Sequence, residues 1–247
     1  MNKFRKHIFK LLKTTGFIQI LKTQARKFGF TFVDSNNVSR VYDFVNLVKS
    51  LGIKLDVIYD IGANDGQWTR EIQKKCPFKL TLILFEPNAF HNESLKSTNS
   101  RYFNEILSDC VETVSFYSLN GTGDSMYKEI SGKYNSVTPL SLKSKVLDDF
   151  VNEKCLPLPD LIKIDTQGSE LKILQGSRKV LSSAKFVVLE CPILEYNLGA
   201  PDINQILLFM ENNGFKPYSI AEFHKNKKIL FQVDIIFVAD ALIDSLP

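Results

Sequence analysis

Four times along this chain a strand-length apolar run gives way, within about fifteen residues, to a stretch of helical length and pattern. Residues 55–61 precede 67–75, 80–85 precede 89–98, 161–164 precede 170–181, and 186–189 precede 203–212. Short apolar runs alternating with helices indicate βαβ units around a parallel sheet covered on both faces. A further strand is expected at 103–107, and a helix at 38–51 with Val41, Phe44, Val45 and Val48 on one face. The middle of the chain breaks the rhythm. Residues 111–119 and 137–146 are rich in β-branched, alternating positions and flank Asn120-Gly121-Thr122-Gly123-Asp124-Ser125. This predicts a β-rich insertion whose loop, 120–127, either orders over bound ligands or stands as an ordinary exposed hairpin loop. Near the end, 215–223 and 233–238 read as paired strands joined by a charged turn.

The chemistry concentrates where the strands stop. In Tyr59-Asp60-Ile61-Gly62-Ala63-Asn64-Asp65-Gly66-Gln67-Trp68 an acid closes a strand and two glycines turn the chain into a helix. Such a turn lets backbone approach a ligand and aims free helix amides at it. The spacing is GxxxG rather than the GxGxxG of a dinucleotide site, and the chain has no GxxxxGK[ST] phosphate loop. An ordinary strand-to-helix turn would explain one glycine, but not the acid with both. Glu86 ends the next strand, 26 residues after Asp60. An acid at that place accepts hydrogen bonds from ribose hydroxyls. Ribose recognition without a pyrophosphate cradle points to a nucleoside cofactor that carries no phosphate, and S-adenosylmethionine (SAM) is one. Asp60, Gly62, Gly66 and Glu86 are therefore expected to bind it.

Asp165 follows the apolar run at 161–164, and Glu190 follows the run at 186–189, so four acids converge on one rim of the sheet. Ser169 is a candidate helix cap, and Lys163 is expected either to reach solvent from a sheet edge or to pair with an acid. Four motifs then resemble those of the FkbM-type methyltransferases. They are Asp60-Ile61-Gly62-Ala63-Asn64-Asp65-Gly66-Gln67, Phe85-Glu86-Pro87, Leu147-Asp148-Asp149-Phe150, and Ile162-Lys163-Ile164-Asp165-Thr166-Gln167-Gly168-Ser169-Glu170. The resemblance covers about residues 55 to 239. It implies a Rossmann-like class I α/β fold, a seven-stranded, mostly parallel sheet closed by an antiparallel hairpin. It also implies SAM-dependent O-methylation of a hydroxyl on a sugar, glycan or related metabolite. Its motifs add Asn64, Gln67, Pro87 and Asp165 to the expected cofactor site.

An alcohol must lose its proton as it accepts a methyl group, which calls for a general base. Asp165 is the first candidate and Glu190 the second. His224 is the third, although a histidine beside a charged turn is more often solvated. Nothing in the spacing demands a metal. Two other classes remain: an NAD-dependent oxidoreductase, disfavoured by the missing GxGxxG, and an inactive SAM-fold binding module. Titration with SAM and NAD separates the three.

Charge divides the chain. The 31 basic and 27 acidic residues give +4 overall, yet residues 1–33 hold eight basic residues and no acid, leaving 23 against 27 beyond them. A mildly acidic body argues against a nucleic-acid partner. The division places a basic amphipathic extension at 1–50 and the methyltransferase domain at 51–247. No run approaches the roughly 18 apolar residues of a membrane span. The four cysteines, with no CxxC pair, read as reduced thiols of a cytoplasmic protein.

Residues 1–30, with Phe4, Ile8, Leu11 and Leu12 as an apolar stripe among the lysines, are expected to dock on an anionic membrane face. The alternative is that the stripe packs on the catalytic domain or a second copy of the chain. In flotation with anionic vesicles at low salt, the full chain should rise and a chain starting at Val38 should not. If both stay in the soluble fraction, the segment is a structural arm.

Overall fold

The computed structural model describes residues 40–226 and 228–247, so the amphipathic segment 1–30 lies outside the described residues. Eleven strands and seven α-helices are described. Seven strands form the main sheet: β1 (Val57–Ile61), β2 (Thr81–Phe85), β3 (Arg101–Phe103), β8 (Leu161–Ile164), β9 (Phe186–Pro192), β10 (Phe215–Asn226) and β11 (Ile229–Ala239). Their order is β10-β11-β9-β8-β1-β2-β3. Neighbours from β9 to β3 run parallel, while β11 is antiparallel to both β9 and β10. The sheet and its C-terminal hairpin are those the sequence implies.

Both faces are covered, which is why β1, β2 and β8 read as nearly unbroken apolar runs. On one face Tyr59, Phe85, Ile162 and Leu189 pack with Phe150, Ile173 and Met210. These last three come from α4 (Leu147–Glu153), α5 (Glu170–Gln175) and α7 (Ile203–Asn212). On the other face Ile58, Leu84, Leu161 and Val188 pack with Phe44, Val45, Ile72 and Leu95. Those come from α1 (Val41–Ser50), α2 (Gln67–Lys75) and α3 (Asn92–Lys96). Helix α1 thus belongs to the core of the unit that runs Ser39–Pro247, rather than to an extension ending at residue 50.

Local chemistry redraws several expected elements. The strand expected at 103–107 divides. Arg101–Phe103 stays in the sheet, but Asn104 turns its side chain back onto the Glu86 carbonyl, 2.9 Å away. Leu107–Ser108 (β4) then pairs in parallel with Lys145–Val146 (β7). In the insertion, Thr113–Phe116 (β5) pairs antiparallel with Leu140–Lys143 (β6). The helix expected at 170–181 breaks at Gly176-Ser177 into α5 and α6 (Arg178–Ser183). Gly176 sits where a Cβ would lie 2.4 Å from the Ser108 carbonyl oxygen. The Asp148 carboxylate accepts hydrogen bonds from the Lys179 and Val180 amides, each 2.9 Å, and so starts a new helix. The segment at 89–98 is a short 3₁₀ turn, Ala89–His91, followed by α3. Among the described residues no helix is long and apolar enough to cross a membrane.

Candidate active site

Strand order reverses at β1, which lies between β8 and β2. In an open parallel sheet, that reversal leaves a crevice at the carboxyl ends of the strands. A cavity of about 530 Å³ fills it, lined among others by Gly62, Asn64, Glu86, Asp165, Glu190 and His224. Gln67 and Pro87 also line it.

The turn after β1 is forced by sterics. Gly62, Asn64 and Gly66 all take positive φ, of 79°, 49° and 79°. A Cβ on Gly62 would stand 1.9 Å from the Asp165 carbonyl oxygen, so only glycine fits there. Glu86 reads the turn directly. Its two carboxylate oxygens accept the Asn64 and Asn88 amides, each at 2.8 Å. Burial pushes the Glu86 carboxyl up to about 7, against the pull of those two donors.

Asp60 and Gly66, expected to hold a cofactor, do not line the cavity. Asp60 is fully buried behind the turn. It accepts a hydrogen bond from Thr69 Oγ1 at 2.8 Å and faces the Lys163 ammonium at 3.5 Å. Lys163 sits in a central strand, not at an edge, and is itself only 5% exposed. It lies 3.2 Å from Asp165 Oδ2 and over the Trp68 ring. Burial alone would raise the Asp165 carboxyl, but Lys163 and the Gln167 amide outweigh it and hold that group below its usual range.

Glu190 lies inside β9, not at its end, because the strand continues to Pro192. It is 5% exposed and accepts Gln167 Nε2 at 2.6 Å. Burial and the nearby Asp165 charge push its carboxyl well above the usual range, so Glu190 holds a proton more tightly than the Asp165 beside it. His224 departs furthest from expectation. The hairpin is longer than the sequence suggests, which places this histidine within β10, half-buried, with Nε2 at 2.8 Å from Asp234 Oδ1. A register shift between His224 and Lys225 falls at this point, and such bulges re-aim side chains. The bond to Asp234 raises the imidazole pKa above its ordinary value, against the effect of burial. Glu190, His224 and Asp234 present ligand-type atoms within 4.8 Å of one another, a grouping that a divalent cation accepts.

Three contributors were not legible as functional. Asp234 is an acid inside an apolar strand, and that anomaly was its one signal. Gln167 joins Asp165 to Glu190. Glu170 accepts the Thr166 and Gly168 amides and fixes the turn after β8; Ser169, the expected cap, makes no capping bond. The insertion loop is fastened to the same turns. Asn64 Nδ2 donates to the Gly121 carbonyl, Asn88 Nδ2 to Asp124, and Ser125 Oγ to the Gln167 carbonyl.

Comparison with known proteins bears on the family. The methyltransferase FkbM domain matches residues 60–217. The chain is 31% identical to the 2-O-methyltransferase NoeI of Sinorhizobium fredii, over 61% of this chain and 69% of that protein. It is 25% identical to the hexuronic acid methyltransferase AglP of Haloferax volcanii, over 60% of this chain and 61% of that one. Among solved structures, methyltransferase FkbM from Methylobacillus flagellatus KT aligns with a TM-score of 0.48 at 12% identity, over 73% of this chain and 43% of that one. The domain match alone spans more than half of the sequence, and the chain belongs to the FkbM methyltransferase family, enzymes that take their methyl group from SAM.

Proposed function

We propose that this protein methylates a sugar hydroxyl, with His224 as the general base and Asp234 as the residue that orients it. The acceptor class is supported by the two curated relatives, one a 2-O-methyltransferase and one acting on a hexuronic acid. The carrying observation is that the cavity lined by the Glu86 turn is also lined by an imidazole held at 2.8 Å by a carboxylate.

The residues present suit the cofactor. Each Glu86 oxygen accepts one amide and keeps lone-pair capacity for a ribose hydroxyl. Asp165, ionised beside Lys163 and lining the same cavity, suits an ammonium group. Gly62, Asn64, Gln67 and Pro87 complete the cofactor end, while Asp60 acts from behind by holding Lys163 and Thr69. Bound SAM supplies a methyl group already activated on sulfur, which the acceptor oxygen takes as the carbon–sulfur bond breaks and its electron pair returns to sulfur. The protein then has to position the hydroxyl and remove its proton. Nε2 of His224 is engaged by Asp234, so Nδ1 is the atom left to receive that proton. Asp165 is a weaker candidate, because Lys163 and Gln167 lower its proton affinity. Glu190, buried and with its proton affinity raised, serves as a polar wall.

The role of Glu86 is testable through pH. Ribose hydroxyls bind the carboxylate better than the neutral acid, so SAM affinity should rise as pH climbs through about 7, where burial places this group. Glu86→Gln should weaken SAM about 10- to 100-fold, the loss of a charged hydrogen bond, and should flatten that pH dependence. Calorimetry showing unchanged affinity and slope in the variant would remove Glu86 from the ribose site.

A further inference from the structure

The cavity at His224 has a neighbour. A second cavity, of about 290 Å³, lies against it, and Glu190, Tyr196 and Gln232 line both. Its apolar wall comes from Pro192, Ile193, Leu194 and Pro201. Four carboxylates line it, Glu170, Glu190, Glu195 and Asp202, and no Lys, Arg or His does. Three of the four are already tied to backbone amides: Glu170 to Thr166 and Gly168, Glu195 to Gly199, and Asp202 to Gln205. Asn197 is different. It lines the cavity and is 5% exposed, and its Oδ1 has no hydrogen-bond partner among the described residues. A buried amide oxygen left without a donor is unfavourable; this one is closed to solvent as the side chain stands, and a rotation of the amide toward the cavity would offer it to a ligand hydroxyl.

Building on the sugar acceptor proposed above, we infer that this second cavity is a subsite for the sugar unit adjacent to the one methylated, and that the unit it takes is uncharged. The acceptor is then an oligosaccharide. A pyranose offers a C–H face to an apolar wall and a ring of hydroxyl donors to carboxylates and an amide oxygen, which matches this lining. Tyr196 stands between the two cavities with its ring 5.5 Å from that of Phe231, an aromatic pair against which joined units can lie. A uronate there would add another acid to a wall of four acidic side chains, Glu195 and Asp202 among them, with no cation to answer its charge, and such unpaired like charge rejects a ligand.

The test is methyl transfer from SAM by the full chain to methyl glycosides of neutral hexoses and hexuronic acids, each offered alone and as a disaccharide extended on either side. A neutral disaccharide should show kcat/KM about tenfold or more above its monosaccharide, and a uronic acid in the added position should lose that gain. Leu194→Trp, at a half-exposed position on the cavity wall, should abolish the gain and leave monosaccharide turnover intact. Asn197→Ala should reduce the gain with monosaccharide turnover unchanged, and serves if the first variant does not fold. Equal kcat/KM for single and joined sugars would overturn the subsite and leave the sugar acceptor standing. Transfer to none of the sugars would overturn both.

Discussion

Exchanging His224 for glutamine should lower kcat by about 100- to 10,000-fold, the usual contribution of a positioned general base. SAM affinity should stay near that of the wild type, because the imidazole lies away from the Glu86 end of the cavity. Glutamine keeps polarity and reach but does not take a proton at neutral pH. The wild-type pH profile carries the same information. A base works when unprotonated, and the bond to Asp234 raises the His224 pKa above its ordinary 6.5. Turnover should therefore climb as pH rises through and beyond about 6.5 and then level off. Asp234→Asn removes the partner that raises this pKa, so the rising limb should move to lower pH while turnover at the plateau falls. A merely structural role for Asp234 would lower activity without moving that limb. If His224→Gln retains near-normal turnover, the base lies elsewhere, and Asp165→Asn becomes the informative variant. If chelation instead removes wild-type activity and a divalent cation restores it, Glu190, His224 and Asp234 act as ligands and the proton-transfer assignment falls.

Lys163→Met should cost about 3–5 kcal/mol of stability near neutral pH, the range seen when one partner of a buried charge network is removed. The ammonium is nearly enclosed, with Asp60 at 3.5 Å and Asp165 at 3.2 Å. Asp60 Oδ1 makes no hydrogen bond, so this ion pair is its compensation. Methionine fills the volume but leaves the buried Asp60 and the cavity-lining Asp165 without the cation they share. Their sign dictates the pH dependence. In the wild type, Asp165 is held below its ordinary 3.8, so its contribution is present above that value and is lost as pH falls through the lower, folded-state one. In the variant both acids are raised, and protonation relieves them. The deficit in urea unfolding should therefore shrink as pH is lowered from about 7 toward about 5, a window above the one in which the wild type loses the Asp165 contribution. Adding Asp60→Asn to Lys163→Met should recover part of the loss, because it deletes one of the stranded charges. A deficit that is small and independent of pH would mean the network contributes little to stability.

What the residues alone determined is largely what local pattern can carry. The runs at 81–85 and 161–164 read as strands because both faces of a covered sheet are apolar. The turn after Asp60 was legible because a backbone confined by the Asp165 carbonyl admits only glycine at 62. Glu86 stood out because ribose recognition uses an acid at a strand end, and the resemblance to the FkbM family rested on these same positions.

Tertiary structure decided the rest, where the cause lies far off in sequence. Gly176 breaks a helix because the Ser108 carbonyl and the Asp148 carboxylate meet it there, and neither is local. Asp60 read from sequence as an acid at a strand end, and the pairing of β1 with β8 is what sets Lys163 against it. His224 read as a turn residue because its partner, ten positions on, faces it only once the hairpin register is set. Periodicity reports which face of an element is buried. It does not report which buried charges share a face, and in this protein those pairings set the His224–Asp234 pair apart from the acids around it.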